Sequence, residues 1–102
     1  MGYSMIVTTA SSKKEASKIA QCLIEKKLAA CVQVFPMTSF YSWKNKMEKS
    51  KEILLLIKTV KRNYKEIEKA IMKLHHYEVP EIIEIPIING SRDYLFWISE
   101  NC

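Results

Sequence analysis

Glu52 to Thr59 reads EILLLIKT, and its five consecutive aliphatic residues, Ile53 to Ile57, decide the fold. A strand with one wet face alternates apolar with polar residues, whereas an unbroken run has both faces covered. The segment is therefore an interior strand of a sheet, and its surroundings are read as its neighbours. Before it, Ala30 to Trp43 (ACVQVFPMTSFYSW) reads as a long strand. Cys31 to Phe35 carries the β-branched signal, and Phe40, Tyr41 and Trp43 resume it. Pro36 removes a ladder donor, which places this strand at an edge or a bulge. Lys44 to Ser50 is polar and reads as the turn between the two. Tyr3 to Thr9 (YSMIVTT) opens the chain as a strand, and Glu81 to Ile88 (EIIEIPII) is the last, with Pro86 marking another edge.

Two helices connect these strands. Ser12 and Glu15 form the S-x-x-E capping pattern, and Ala16, Ile19, Ala20, Leu23 and Leu28 recur at helical spacing behind it. That predicts a helix over residues 12–27. Asn63 and Glu66 repeat the pattern with Asn as the cap, followed by Tyr64, Ile67, Ile71 and Leu74, which predicts a helix over 63–75. His75-His76-Tyr77-Glu78-Val79-Pro80 ends it, because the residue before a proline is pushed out of the helical region. Gly90-Ser91 starts a short C-terminal helix in which Tyr94, Trp97 and Ile98 share a face.

The order β-α-β-β-α-β is that of a ferredoxin-like α+β sandwich, an antiparallel sheet with both helices on one face, in one domain spanning residues 1–102. The interior strands are too apolar to leave the other face in water. An open apolar face and a long edge strand are managed by association, so a closed homo-oligomer is expected.

Composition removes several function classes. Gly2 and Gly90 are the only glycines, so no glycine-rich phosphate loop exists. The net charge is +5, yet only Arg62 and Arg92 are arginines and the lysines are interleaved with glutamates. Arginine is the residue that forks onto phosphates and guanine edges, so a solvated lysine surface is expected rather than a nucleic-acid footprint. Cys22, Cys31 and Cys102 are an odd number without a C-x-x-C pair, which fits a reducing, cytoplasmic setting better than a disulfide framework. The run Ile53 to Ile57 is far short of the ~20 residues of a membrane span, and no membrane partner is expected.

Four stretches together resemble the CutA family of divalent-cation-tolerance proteins. They are Ile6-Val7-Thr8-Thr9-Ala10 with the helix that follows; Lys27-Leu28-Ala29-Ala30-Cys31-Val32; Tyr41-Ser42-Trp43 with Leu54 to Thr59; and His75-His76-Tyr77-Glu78-Val79-Pro80-Glu81-Ile82 with Tyr94 and Trp97. The resemblance spans nearly the whole chain. It implies a tight homotrimer whose extended hairpin reaches the neighbouring subunit, a plan similar to the PII signalling proteins. It also implies divalent-metal binding, copper best, and no enzymatic activity.

The candidate site residues follow from both readings. Imidazole suits copper and zinc, so His75 and His76 are the candidate metal ligands. In the resemblance, a histidine pair before the proline segment falls on Leu74 and His75, and a cysteine ligand falls on Thr8. Leu74 and Thr8 cannot replace those donors, so Cu2+ or another divalent cation is expected to be held without tight binding. The competing reading makes the two histidines a helix C-terminal cap, favoured there by the dipole. Cys31, Lys58, Tyr77 and Glu81 are candidates for a small intersubunit ligand pocket, with Cys31 more simply a core residue. Tyr41, Trp43 and Trp97 are candidate trimer-interface anchors. The alternative function is a trimeric scaffold or signalling module in which metal binding is incidental.

Overall fold

The computed structural model describes residues 2–102. Its elements are β1 (Tyr3–Ala10), α1 (Lys13–Glu25), β2 (Cys31–Trp43), β3 (Lys46–Val60), a single 3-10 turn (Lys61–Asn63), α2 (Tyr64–Leu74), β4 (Ile82–Ile87) and α3 (Arg92–Glu100). The four strands form one antiparallel sheet in the order β2-β3-β1-β4. The expected ferredoxin-like arrangement is thus present: EILLLIKT is interior, and both proline-bearing strands are edges.

Burial alternates along β3 with a period of two, which divides its apolar run between the two faces. Ile53, Leu55 and Ile57 point at the helices and join Ile6 and Ala10 of β1, Ala16, Ile19 and Leu23 of α1, and Ile67 and Ile71 of α2 in the core. Leu54, Leu56 and Lys58 point the other way, paired with Thr9, Val7 and Met5 of β1. That second face carries Phe35 and, on β4, Ile83 and Ile85, all between 41% and 48% exposed. An apolar surface of this kind is the feature from which association was expected.

The stretch 44–50 corrects the sequence reading. Only Lys44 and Asn45 form the turn, both at positive φ (50° and 64°), and β3 begins at Lys46. Two consecutive left-handed residues make the tight hairpin connection whose twist matches that of the strands. β2 and β3 therefore run 13 and 15 residues, more than twice the usual strand of ~6, and the molecule extends 44 Å along its long axis.

Helix ends also differ from expectation. α1 stops at Glu25, before the expected residue 27. Lys27 takes φ 57°, and Leu28 N–H reaches the Leu23 carbonyl while Lys27 N–H reaches that of Ile24. This is a Schellman closure with lysine where glycine is usual. At the start of α2, Asn63 does not cap with its side chain. Its amide instead donates across the fold to the Leu28 carbonyl, which also accepts from Thr59 Oγ1. Asn63 thus ties the end of α1 to the start of α2.

Candidate cation-binding site

Three chain segments converge at one end of the sheet: the C-terminal end of β1, the first turn of α1 and the segment between α2 and β4. Ser12 caps α1 by accepting from Glu15 N–H at 3.1 Å, as the capping pattern predicts. The Glu15 carboxylate returns not to Ser12 but to Ser11 N–H, at 2.9 Å. Glu15 is buried, and its other oxygen pairs with Nδ1 of His76. Burial pushes the Glu15 carboxyl up. The Ser11 N–H and the neighbouring His75 and His76 rings outweigh it, so the group sits below its usual 4.5 and remains ionised.

The two adjacent histidines have different surroundings. His75 is buried at the C-cap of α2. Its Nδ1 accepts from Tyr77 N–H at 3.2 Å, which leaves Nε2–H to donate to the Thr9 carbonyl. Both ring nitrogens are engaged within the chain, so a metal on His75 displaces one of these bonds. His76 is exposed; its Nδ1 faces Glu15 and its Nε2 lies 3.3 Å from Ser11 Oγ. Of the two, His76 is the ring open to solvent. Among the described residues no group of three or more His, Cys, Asp or Glu side chains converges. Both Glu15 oxygens are engaged, by Ser11 N–H and His76 Nδ1, so His76 Nε2 is one of the four donors a closed zinc site needs. The donor set fits a loosely held ion rather than a resident one.

Thr8 occupies the β1 position to which the resemblance carries a cysteine ligand. It is fully buried on the helix side, and its hydroxyl is without a hydrogen-bond partner. A buried unpaired hydroxyl costs roughly 1–3 kcal/mol. Thr8→Val keeps the shape and removes that group, and is expected to stabilise the fold by about 1 kcal/mol in urea unfolding; a loss of stability would mean the hydroxyl has a partner.

Tyr77 packs its ring 4.5 Å from that of His75 and donates its hydroxyl to Glu52 at 3.0 Å. Burial and the Glu52 carboxylate push its phenol well above the usual 10.0. The folded state therefore holds this proton more tightly than the unfolded chain does, and stability falls as pH rises past 10. Tyr77→Phe should flatten part of that alkaline slope, measured as thermal midpoint against pH. Tyr64, raised by burial and Glu68, leaves a remainder of the same sign.

The four pocket candidates do not gather as one group within the chain. Cys31 and Lys58 are cross-strand partners, with Cys31 half-buried on the open face rather than in the core. Lys58 Nζ donates to Gln33 at 2.6 Å and lies 5.9 Å from the Tyr94 ring centre. Tyr77 turns to Glu52, and no ion pair joins Lys58 to Glu81 among the described residues. Tyr41 and Trp43 are partly exposed near the hairpin tip, beside a cleft of about 190 Å³ that Tyr77, Glu78 and Val79 complete. Trp97 is partly exposed and stacks on Tyr94 at 5.7 Å, while Ile98 of the same helix is fully buried. Sequence reasoning missed Ser11 and Glu52 and read Glu15 only as a cap. The S-x-x-E spacing fixed where Glu15 lies but not that its second oxygen meets a histidine 61 residues later in the chain.

Comparison with known proteins covers the whole of this architecture. The profile of the CutA1 divalent ion tolerance protein family matches residues 4–101. The divalent-cation tolerance protein CutA of Thermus thermophilus is 40% identical over 98 residues, 95% of each chain. That of Archaeoglobus fulgidus is 41% identical over 98 residues, 96% of each. A solved Archaeoglobus fulgidus structure, described as the periplasmic divalent cation tolerance protein CutA, superposes with a TM-score of 0.95 at 40% identity, covering 97% of each chain.

Proposed function

The chain belongs to the CutA1 divalent ion tolerance family, and from that premise we propose that it acts in tolerance of divalent cations by binding them as a homotrimer. One observation carries the binding part: a solvent-exposed imidazole, His76, is held by a buried, ionised carboxylate, Glu15. A carboxylate behind an imidazole fixes the ring's tautomer and raises its basicity toward a metal. Nδ1–H then faces Glu15, and the lone pair is left on Nε2, 3.3 Å from Ser11 Oγ at the exposed side of the ring. His75 holds the segment in place through Thr9 and Tyr77 and is the lesser donor of the pair. Copper is the ion such a site favours, because affinity for imidazole peaks at Cu2+ in the divalent series. With His76 Nε2 as the protein donor and Glu15 behind it, the ion keeps water or other ligands, and no reaction is assigned to this role.

A copper and zinc titration of metal-stripped protein tests the reading, run beside His76→Ala and His75→Ala. The expected result is weak stoichiometric binding, lost in His76→Ala and largely kept in His75→Ala. Identical binding in all three proteins would sink the histidine site and return the metal to an incidental status.

The trimer is supported by the open sheet face and by the hairpin, whose Tyr41 and Trp43 stand clear of the core. A cytoplasmic setting is supported by three free cysteines, Cys22, Cys31 and Cys102. Recovery of the protein in a periplasmic fraction, as the description of the Archaeoglobus fulgidus structure suggests for that relative, would reverse the assignment.

A further inference from the structure

The structure separates charges that the sequence mixes. Residues 11–27 and 61–74, which form α1, α2 and their flanks, hold ten of the sixteen lysines and arginines and four of the eleven acidic residues, a net +6. The rest of the chain, with six cations and seven acidic residues, carries −1. All ten cations of the helix segments are exposed. Two of the four carboxylates there are turned away from solvent: Glu15 is buried against Ser11 N–H, and Glu68 accepts the Tyr64 hydroxyl at 2.8 Å. Among the described residues the ion pairs are His76–Glu15 and Arg92–Asp93, so none of the ten cations has an acidic partner.

Helix geometry gathers these charges on one side. α1 and α2 pack on the same side of the sheet through Ala16, Ile19, Leu23, Ile67 and Ile71, so their opposite faces form one outer surface. On it Lys14 and Lys18, and likewise Lys65, Lys69 and Lys73, recur four residues apart. Like charges at that spacing repel and weaken a helix, and a partner of opposite charge relieves the repulsion. Apolar side chains stand between the lysines. Met72 is 55% exposed in a cleft with Lys65, Lys69 and Lys73, and Leu74 is 39% exposed in one with Lys14 and Lys18.

We propose that this helix face docks on the surface of an anionic phospholipid bilayer, with its lysines over the headgroup phosphates and Met72 and Leu74 entering at the acyl boundary. Basic residues around exposed apolar ones are the composition of a surface that lies on a membrane, and each lysine gains as a point charge from the potential of an anionic leaflet. A nucleic acid is the poorer fit. Arg62 is the one arginine of the face, and its one aromatic, Tyr64, is half-buried with its hydroxyl on Glu68, so neither base readout nor base stacking is provided. The expectation of no membrane partner came from the lack of a spanning segment. Among the described residues no helix is long and apolar enough to cross a membrane, and a surface contact needs none. The contact uses neither His76 nor the open sheet face, so it is independent of the cation reading and of the trimer.

The test is co-sedimentation of the metal-free full chain with phosphatidylcholine vesicles and with vesicles of equimolar phosphatidylcholine and phosphatidylglycerol, at low and at physiological salt. Binding is expected to the anionic vesicles alone and to weaken as salt rises. Lys65→Glu/Lys69→Glu/Lys73→Glu should lower the affinity ~100-fold or more, at about fivefold for each lysine near the surface. Lys46→Glu/Lys49→Glu/Lys51→Glu changes the net charge equally on the hairpin and should bind as the unaltered chain does. Met72→Ser keeps every charge and should lose the part of the binding that resists salt. Circular dichroism establishes that each variant is folded. Equal losses in the two triple variants would trace the binding to net charge and overturn the proposal. Retention of a labelled DNA duplex without binding to the anionic vesicles would overturn it in favour of a nucleic acid.

Discussion

For the proposed homotrimer, Ile85→Glu is expected to lower the mass from three chains to one in light scattering after gel filtration, with circular dichroism unchanged. Ile85 lies on β4, pairs with Met5 and is 41% exposed on the face away from α1 and α2. Ile83 and Phe35 share that face. Burying an isoleucine contributes about 1.5–3 kcal/mol, and a closed trimer counts the change three times. A carboxylate left unpaired in the interface costs several kcal/mol more at each position. The core residues Ile6, Leu55 and Ile57 lie on the opposite face and are not touched, so the single chain keeps its fold. An unchanged mass would show that this face is not the one that assembles.

Leu55→Ala is expected to lower the thermal midpoint by ~10–20 °C at a fixed protein concentration. Leu55 is fully buried in the middle of β3 and part of the core. Removing its side chain costs ~2–5 kcal/mol through lost transfer energy and the cavity left behind, and each kcal/mol moves the midpoint of a ~100-residue domain by several degrees. Its cross-strand partner is Thr8, whose hydroxyl has no bond. The new cavity therefore has one polar wall, and a water admitted there satisfies Thr8. The loss should accordingly be larger in Thr8→Val/Leu55→Ala than the two single changes sum to. An additive double-mutant cycle would show that the cavity stays dry or closes. Concentration is held constant because assembly adds to the apparent stability.

The fold was legible because its determinants are local and apolar. The run from Ile53 to Ile57 identified an interior strand, and Pro36 and Pro86 identified the edges. What escaped was the part of the hairpin that lies beyond the core. Lys46 to Lys51 carries no alternation of apolar and polar residues because both its faces meet solvent, so its strand character comes from pairing with β2 and from the turn. Lys44, Asn45 and Lys27 adopt left-handed backbone without a glycine to announce it. The candidate site was half legible for a related reason. Two adjacent histidines are visible in any sequence, but their division into a buried, doubly bonded ring and an exposed one depends on Thr9, Tyr77, Glu15 and Ser11. Those partners come from three elements, and no spacing rule connects them.

The two-residue turn at Lys44–Asn45 also has a consequence for synthesis on the ribosome. A hairpin closed by so short a connection zips from its tip in ~1–10 μs, far faster than residues are added at ~5–20 per second. β2 and β3 are therefore paired soon after Val60 emerges, and β1 is already waiting to join β3. The other edge of β1 has no partner until β4 appears; Ser4 and Glu84, which bond across that seam, are 80 residues apart. For several seconds the nascent chain carries an open edge with Met5 and Val7 beside it, a surface open to strand addition by neighbouring chains on the same message. Slowing translation between Val60 and Ile82 lengthens that interval, so its cost falls on yield rather than on the stability of the finished protein.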